Sequence, residues 1–220
     1  QYSSWTRENL PENLKAEAEA IKGNEEEIYD RFCRDMTFGT SGLRGKMGLG
    51  TNRMNRIVVR RATMGVADYL LSKHERAKVV IGYDTRAGSE SYAREAAGVL
   101  SSRGIDVSLF NEPTPVPVVS FAIRYMKADG GIMITASHNP KEYNGYKVYD
   151  HFGNQIDDLK ARRIEEYINK RPYFEEFESA AKGTVEECPP HVKEAYLAAV
   201  AGQFLPWTDD AEEVRKALRD

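Results

Sequence analysis

The residues best suited to chemistry lie between 132 and 149, IMITASHNPKEYNGYKVY, where an apolar run stops at Ser137 and is followed at once by His138, Asn139 and Pro140. A buried strand ending in a serine places a hydroxyl at a strand's carboxyl end, where open α/β sheets bind their ligands. Two chemistries use such a hydroxyl: nucleophilic hydrolysis with His138 as base, and carriage of a phosphoryl group. Hydrolysis fits poorly, because adjacent side chains on a loop do not align as nucleophile and base, and the chain shows no GxSxG elbow. A phosphorylated serine holds about −1.5 to −2 charges at pH 7. Arg44, Lys46, Lys141 and Lys147 are candidates to balance them.

Two further stretches bear on that reading. Residues 38–55, FGTSGLRGKMGLGTNRMN, carry glycines at 39, 42, 45, 48 and 50 beside Arg44, Lys46 and Arg53. Such density permits positive φ and close backbone approach to an anion, but the spacing is neither a Walker A loop nor a GxGxxG loop. Taken alone, a phosphate-contacting loop and a plain glycine-rich turn both remain open. Asp84 and Arg86 follow a short β-branched run, and a pair so close together commonly pins a loop.

The elements that must position these residues follow from periodicity. Residues 1–36 read as a helical arm with a solvated face, one helix over 11–21 ending at Gly23 and a second opening at Asn24 with Glu27 three residues on. Asn55 caps an amphipathic helix to about 73, and 78–83 is a strand. A helix spans 89–103 and a strand 106–110. Pro113, Pro115 and Pro117 break the chain and seed a helix to about 126, and the strand at 130–136 follows. This β-α-β-α-β order predicts an α/β layered domain. Pro140 and Asn144-Gly145 are read as turns, 146–149 as a short edge strand, 150–154 as a turn and 157–169 as a helix. An irregular acidic connection over 171–187 leads to two helices, 189–202 and 209–219, without a strand.

The 220 residues are 41% hydrophobic and 30% charged with a net charge of −3, which suits a soluble globular protein and advertises neither nucleic acid nor an anionic membrane. No apolar run reaches the roughly 20 residues of a membrane helix, and no signal peptide is evident, so the cytoplasm is the expected location. Cys33 and Cys188 lie far apart and the four histidines are scattered, so neither a disulfide nor a zinc site is expected. Gln1 in place of Met is consistent with a processed or excised chain.

TASHNP at 135–140 with NGYK at 144–147, preceded by FGTSGLRG at 38–45 and GYDTR at 82–86, resembles the α-D-phosphohexomutase superfamily. The longer form GLRGKMGLGTNRMN with its helical arm is most similar to the phosphoglucomutase branch, which includes phosphopentomutase-like members. The resemblance covers about 1–200. It implies a three-layer α/β/α mixed-sheet domain I over 37–187, with 1–36 as arm and 188–220 as the opening of a truncated domain II. Ser137 would be the catalytic phosphoserine, passing its phosphoryl group to a sugar monophosphate and recovering one from the sugar 1,6-bisphosphate so formed, glucose 1,6-bisphosphate if the sugar is glucose.

By the same resemblance, Arg44 contacts the transferring phosphate, Lys147 belongs to the acid/base neighbourhood, and His138 and Asn139 shape the loop. Thr40 and Ser41 join Arg44 and Lys147 in phosphate binding, and Asp84 and Arg86 support the site from behind. Mg2+ is implied as cofactor, with the phosphoserine oxygen as one ligand. Its other ligands, on a DxDxD loop, and the sugar-reading and phosphate-gripping loops belong to third and fourth domains not found before Asp220. The partners implied are sugar phosphates and the enzyme's own remaining domains, and the 220 residues alone are expected to be inert. FGTSGLRG differs from the FGTDGIRG of glucosamine phosphate mutases, which lowers that substrate. A phosphopentomutase, or a sugar-phosphate-binding module without catalysis, is the alternative.

Overall fold

In the computed structural model, which describes residues 1–175, 182–203, 212, 215 and 216, the chain runs α1 (Tyr2–Trp5), α2 (Glu12–Ala20), α3 (Glu25–Phe32), β1 (Leu43–Lys46), α4 (Arg56–Leu71), β2 (Lys78–Tyr83) and α5 (Ser89–Ser102). It continues through β3 (Asp106–Leu109), α6 (Val116–Tyr125), β4 (Gly130–Ile134), β5 (Tyr143–Asp150), α7 (Asp158–Asn169), β6 (Val185–Glu187) and α8 (His191–Ala201). Two units result, Gln1–Cys188 and Pro189–Asp220. Helix α8 lies in the second. The helix expected over 209–219 falls outside the described residues, apart from Glu212, Arg215 and Lys216, which are helical.

The sheet of the first unit has six strands in the order β1-β5-β4-β2-β3-β6. Strands β4, β2, β3 and β6 are parallel, whereas β5 runs antiparallel to both β4 and β1. The β-branched core of β2, Val79 to Ile81, is almost wholly buried, as a strand covered on both faces must be. Helices α4 and α5 pack together, with α7 against α4, and α5 covers β2, β3 and β4; α6 packs on β2 and β4 from the other side. The α6 face rests on close approach. A methyl added at Gly131 would lie 2.3 Å from Ile123 Cδ1, and one at Gly82 would lie 2.4 Å from Val119 Cγ2. The result is the mixed three-layer α/β/α architecture.

Local chemistry sets the helix starts. The Asn24, Asn55 and Asp157 side chains accept from the backbone N–H three residues on, at 3.2, 3.0 and 2.8 Å, opening α3, α4 and α7.

Four features differ from the sequence reading. The amino-terminal helices are not simply a solvated arm, because Trp5, Leu14 and Phe32 are buried in the same core as the sheet. The Trp5 ring meets Phe32 and Phe174 edge-on at 5.6 and 5.1 Å, a geometry favoured by the ring quadrupoles. Asn144-Gly145 is no turn: both residues lie inside β5, which is an interior strand paired on both sides and not an edge. Part of the glycine-rich stretch is β1, paired Leu43 to Tyr146 through Lys46 to Tyr143. Last, the acidic connection contains β6, whose three side chains are exposed and which is held by backbone pairing to β3, so no apolar alternation announced it.

The turn before β1 sets its position. Gly39 and Gly42 exchange backbone hydrogen bonds at 3.2 and 2.8 Å around Thr40 and Ser41. Gly42 has φ +72°, and a Cβ there would sit 1.9 Å from the Tyr146 carbonyl oxygen. Gly23 also has positive φ, +81°, but has nothing within 4 Å. Gly23→Ala is therefore expected to cost about 1–2 kcal/mol, the ordinary left-handed penalty. Gly42→Ala adds a backbone collision and is expected to cost about 3 kcal/mol or more. Urea unfolding of the two variants checks this, and equal costs would contradict it.

Candidate active site: the serine loop

Strands β2, β3 and β4 end side by side, and the loops that follow them enclose an open cleft of about 950 Å³ lined by Asp84, Arg86, Thr114, Met133, Thr135, Ser137 and Asn139, among others. Ser137 is exposed and has φ +58°, a left-handed conformation uncommon for a residue with a Cβ. Its backbone N–H donates to Thr135 Oγ1 at 2.9 Å. Asn139 N–H donates to the Ala136 carbonyl at 3.1 Å, and Tyr143 N–H to the Pro140 carbonyl at 3.0 Å, which makes the Pro140 turn real.

Arg86 holds this loop from behind. Nη1 donates to the carbonyls of Pro140 (2.8 Å) and Tyr143 (3.2 Å), and Nη2 to those of Ser137 (2.8 Å) and Asn139 (2.7 Å). Nε faces Asp84 Oδ2 at 3.2 Å. A guanidinium has five N–H donors in a fixed plane; four of them bond loop carbonyls here, and the fifth sits beside the Asp84 carboxylate, so Arg86 is committed chiefly to the loop. Asp84 is fixed in turn, since its Oδ1 accepts from the Arg86 N–H at 3.0 Å and from the Ser89 hydroxyl at 2.6 Å. The Asn144 amide closes the framework by donating to Ser89 Oγ (3.0 Å) and the Ala87 carbonyl (3.2 Å).

The cations reach the site from the antiparallel side of the sheet. Arg44 lies opposite Gly145, and Lys147, two residues along β5, lies opposite Met133 of the cleft wall. Residues two apart on a strand share a face, so Arg44 and Lys147 are diagonal neighbours on the face that carries Met133, while the intervening Tyr146 is buried on the opposite face. Arg44 Nη1 donates to Asn139 Oδ1 at 3.2 Å, tying β1 to the loop. Partial burial, and then the charge of Arg44, hold the Lys147 ammonium below the ordinary lysine range.

Of the residues singled out from sequence, Ser137, Asn139, Asp84 and Arg86 line the cleft together with Lys141, and Arg44 and Lys147 flank it. His138 is exposed on the loop. Thr40 and Ser41 occupy the exposed tip of the turn against Tyr146 and Lys147 and are not part of the cleft wall. Arg53 points elsewhere, pairing with Asp30 of α3 and lying buried. Sequence reasoning missed Thr135, Ser89 and Thr114. Thr135 alone had a signal, a hydroxyl two residues before the serine, the spacing of a local side-chain-to-backbone bond.

The fold is thus an α/β/α domain with a serine loop at the carboxyl ends of its parallel strands, where open α/β sheets commonly bind ligands. Residues 35–174 match the family described as phosphoglucomutase/phosphomannomutase, alpha/beta/alpha domain I, and the chain belongs to that family. A phosphoglucomutase of Staphylococcus epidermidis is 39% identical over 180 residues, which are 80% of this chain and 33% of that protein. A human phosphopentomutase is 41% identical over 186 residues, 78% of this chain and 30% of that protein. A solved structure from Thermus thermophilus superposes with a TM-score of 0.68 at 33% identity, covering 78% of this chain and 37% of the other. The chain thus spans about a third of the length of these relatives.

Two measurements test this geometry. Replacing Arg86 by Lys leaves three donors on a flexible stem where five fixed ones stood, so amide hydrogen exchange at Asn139 and Tyr143 is expected to quicken while exchange in β2 is unchanged; equal protection at the loop would contradict the clamp. Arg44→Gln is expected to raise the Lys147 pKa without restoring it fully, because burial, the larger cause, remains. Side-chain NMR titration reads this, and an unchanged or lower value would contradict it.

Proposed function

We propose that this chain is the phosphoserine-bearing part of an enzyme that interconverts hexose 1-phosphate and hexose 6-phosphate, with glucose the favoured sugar, through a sugar 1,6-bisphosphate. The observation that carries the reading is the left-handed, exposed Ser137 on a cleft-lining loop gripped by Arg86, with Arg44 bonded to Asn139 of the same loop and Lys147 on the same face of the sheet. A group that must give and receive a phosphoryl group in turn needs this combination of fixed backbone and open access.

In the forward step a sugar hydroxyl attacks the phosphorus on Ser137. The new sugar O–P bond forms as the Ser137 Oγ–P bond breaks, and the proton of the sugar hydroxyl passes to solvent water. The serine oxygen leaves with a negative charge, and Lys147 is assigned as its proton donor; its lowered pKa makes it a readier donor than an ordinary lysine. Arg44 contributes fixed positive charge for the phosphoryl oxygens. After the bisphosphate turns over, its other phosphoryl group returns to Ser137 by the reverse path. Thr40 and Ser41, on a turn packed against Lys147, are assigned to phosphate contact, with His138 and Asn139 shaping the loop.

Among the described residues no three His, Cys, Asp or Glu side chains converge on one point. In this reading the chain contributes a phosphoryl oxygen on Ser137 to Mg2+, and the remaining ligands would come from the enzyme's other domains. When bound, the ion would neutralise charge on the transferring group. Soluble sugar phosphates make the cytoplasm the natural location, and no described helix is long and apolar enough to cross a membrane.

A second reading, phosphopentomutase activity, is favoured by the human relative. In the full-length protein, Ser137→Ala is expected to abolish turnover of glucose 1-phosphate with folding intact, and the 220-residue chain by itself is expected to show no more than trace turnover. Comparing kcat/KM for glucose 1-phosphate and ribose 1-phosphate separates the two sugars. Full activity of the Ser137→Ala enzyme would overturn the proposal.

A further inference from the structure

The first unit holds a second cavity, of about 660 Å³, which none of the serine chemistry uses. It opens at the amino end of β4, where Gly130 and Gly131 begin the strand, whereas Ser137 follows the strand's carboxyl end. A five-residue strand puts roughly 15 Å between the two. Its walls are the buried side chains Val66, Leu70, Val79, Ile132, Val148 and Ile156. Its size lies within the usual range for small organic ligands.

The rim is charged, and the charges do not balance. Four cations, Lys73, Arg124, Lys127 and Lys160, stand against two carboxylates, Asp129 and Asp150, with His74 and His151 beside them. Both carboxylates are committed. Asp150 accepts from Lys160 Nζ (2.7 Å) and from the Phe152 and Asn154 N–H groups, and Asp129 accepts from the Lys78 N–H at 2.8 Å and faces His74 Nδ1 at 3.4 Å. Lys73 donates to the Tyr69 hydroxyl at 2.8 Å. Arg124 and Lys127, both exposed, enter no ion pair among the described residues.

An apolar interior beneath two unpaired cations selects its ligand. A sugar phosphate would leave its hydroxyls without partners against the aliphatic walls, which costs about 1–3 kcal/mol for each group. A neutral apolar molecule would leave the cations unused. We infer that this cavity is a binding site, separate from the serine cleft, for an amphipathic organic anion whose aliphatic or aromatic body enters the cavity and whose acidic head meets Arg124 and Lys127.

The test uses octanoate as the probe, with 1-octanol as the matched neutral molecule, on the intact 220-residue chain labelled at its methyl groups. Octanoate is expected to shift the methyl resonances of Leu70, Ile132, Val148 and Ile156 in a saturable manner while leaving Met133 of the serine cleft in place. The surface double variant Arg124→Gln, Lys127→Gln should weaken octanoate by about fivefold or more while leaving octanol affinity unchanged. Absence of saturable shifts at those methyls, or equal octanoate affinity in the double variant, would overturn the inference. Neither readout involves turnover, so failure here and failure of the phosphoserine reading are distinguishable.

Discussion

A single guanidinium organises the serine loop. Residues 137–143 turn tightly after β4 and lead into β5, and the carbonyls of Ser137, Asn139, Pro140 and Tyr143 converge on one side of the turn. Arg86, delivered by the loop after β2, meets all four and is braced by Asp84. Charge-assisted hydrogen bonds of this kind are each worth about 1.5–3 kcal/mol when broken, and losing one side of such a network leaves unpaired carbonyls. The left-handed backbone of Ser137, strained by about 1–2 kcal/mol relative to ordinary conformations, persists because this network over-determines it.

The rest of the sheet can be understood as what places that arginine and its targets. Parallel pairing of β2 with β4 brings the two loops side by side, and Asn144 of β5 locks both to the start of α5 through Ser89 and the Ala87 carbonyl. Antiparallel β5 and β1 carry Lys147 and Arg44 to the same face. Behind them, the amino-terminal helices hold the segment after β1. Glu17 accepts from the Leu49 N–H and the Arg31 guanidinium, each at 2.8 Å, and Arg53 pairs with Asp30. A region that looks like an accessory in sequence thus anchors the chain where it leaves β1.

What could be read from the sequence follows physical rules. Helices α4, α5 and α7 were legible because each has an apolar face at the helical period and a capping residue or glycine at an end, and β2 to β4 because they are short runs of mostly buried residues between those helices. Strand β1 was not, since LRGK has no apolar alternation and owes its conformation to pairing with β5. The same holds for β6. Asn144-Gly145 has the composition of a turn, yet its asparagine side chain is used for loop anchoring in a fully buried position. At the site, Ser137 and the cations were visible as motif residues. The task of Arg86 was visible only as a supporting role, because the four carbonyls it serves are backbone atoms that no side-chain pattern reveals.

The central claim is that Ser137 is the phosphoryl carrier and that the loop is preformed to present it. Incubating the full-length enzyme with glucose 1,6-bisphosphate carrying a labelled phosphoryl group, quenching, and mapping the label by peptide mass spectrometry addresses this directly. The account predicts one labelled phosphoryl group per chain, on Ser137. Label on another residue, or a competent enzyme that never acquires label, would contradict it.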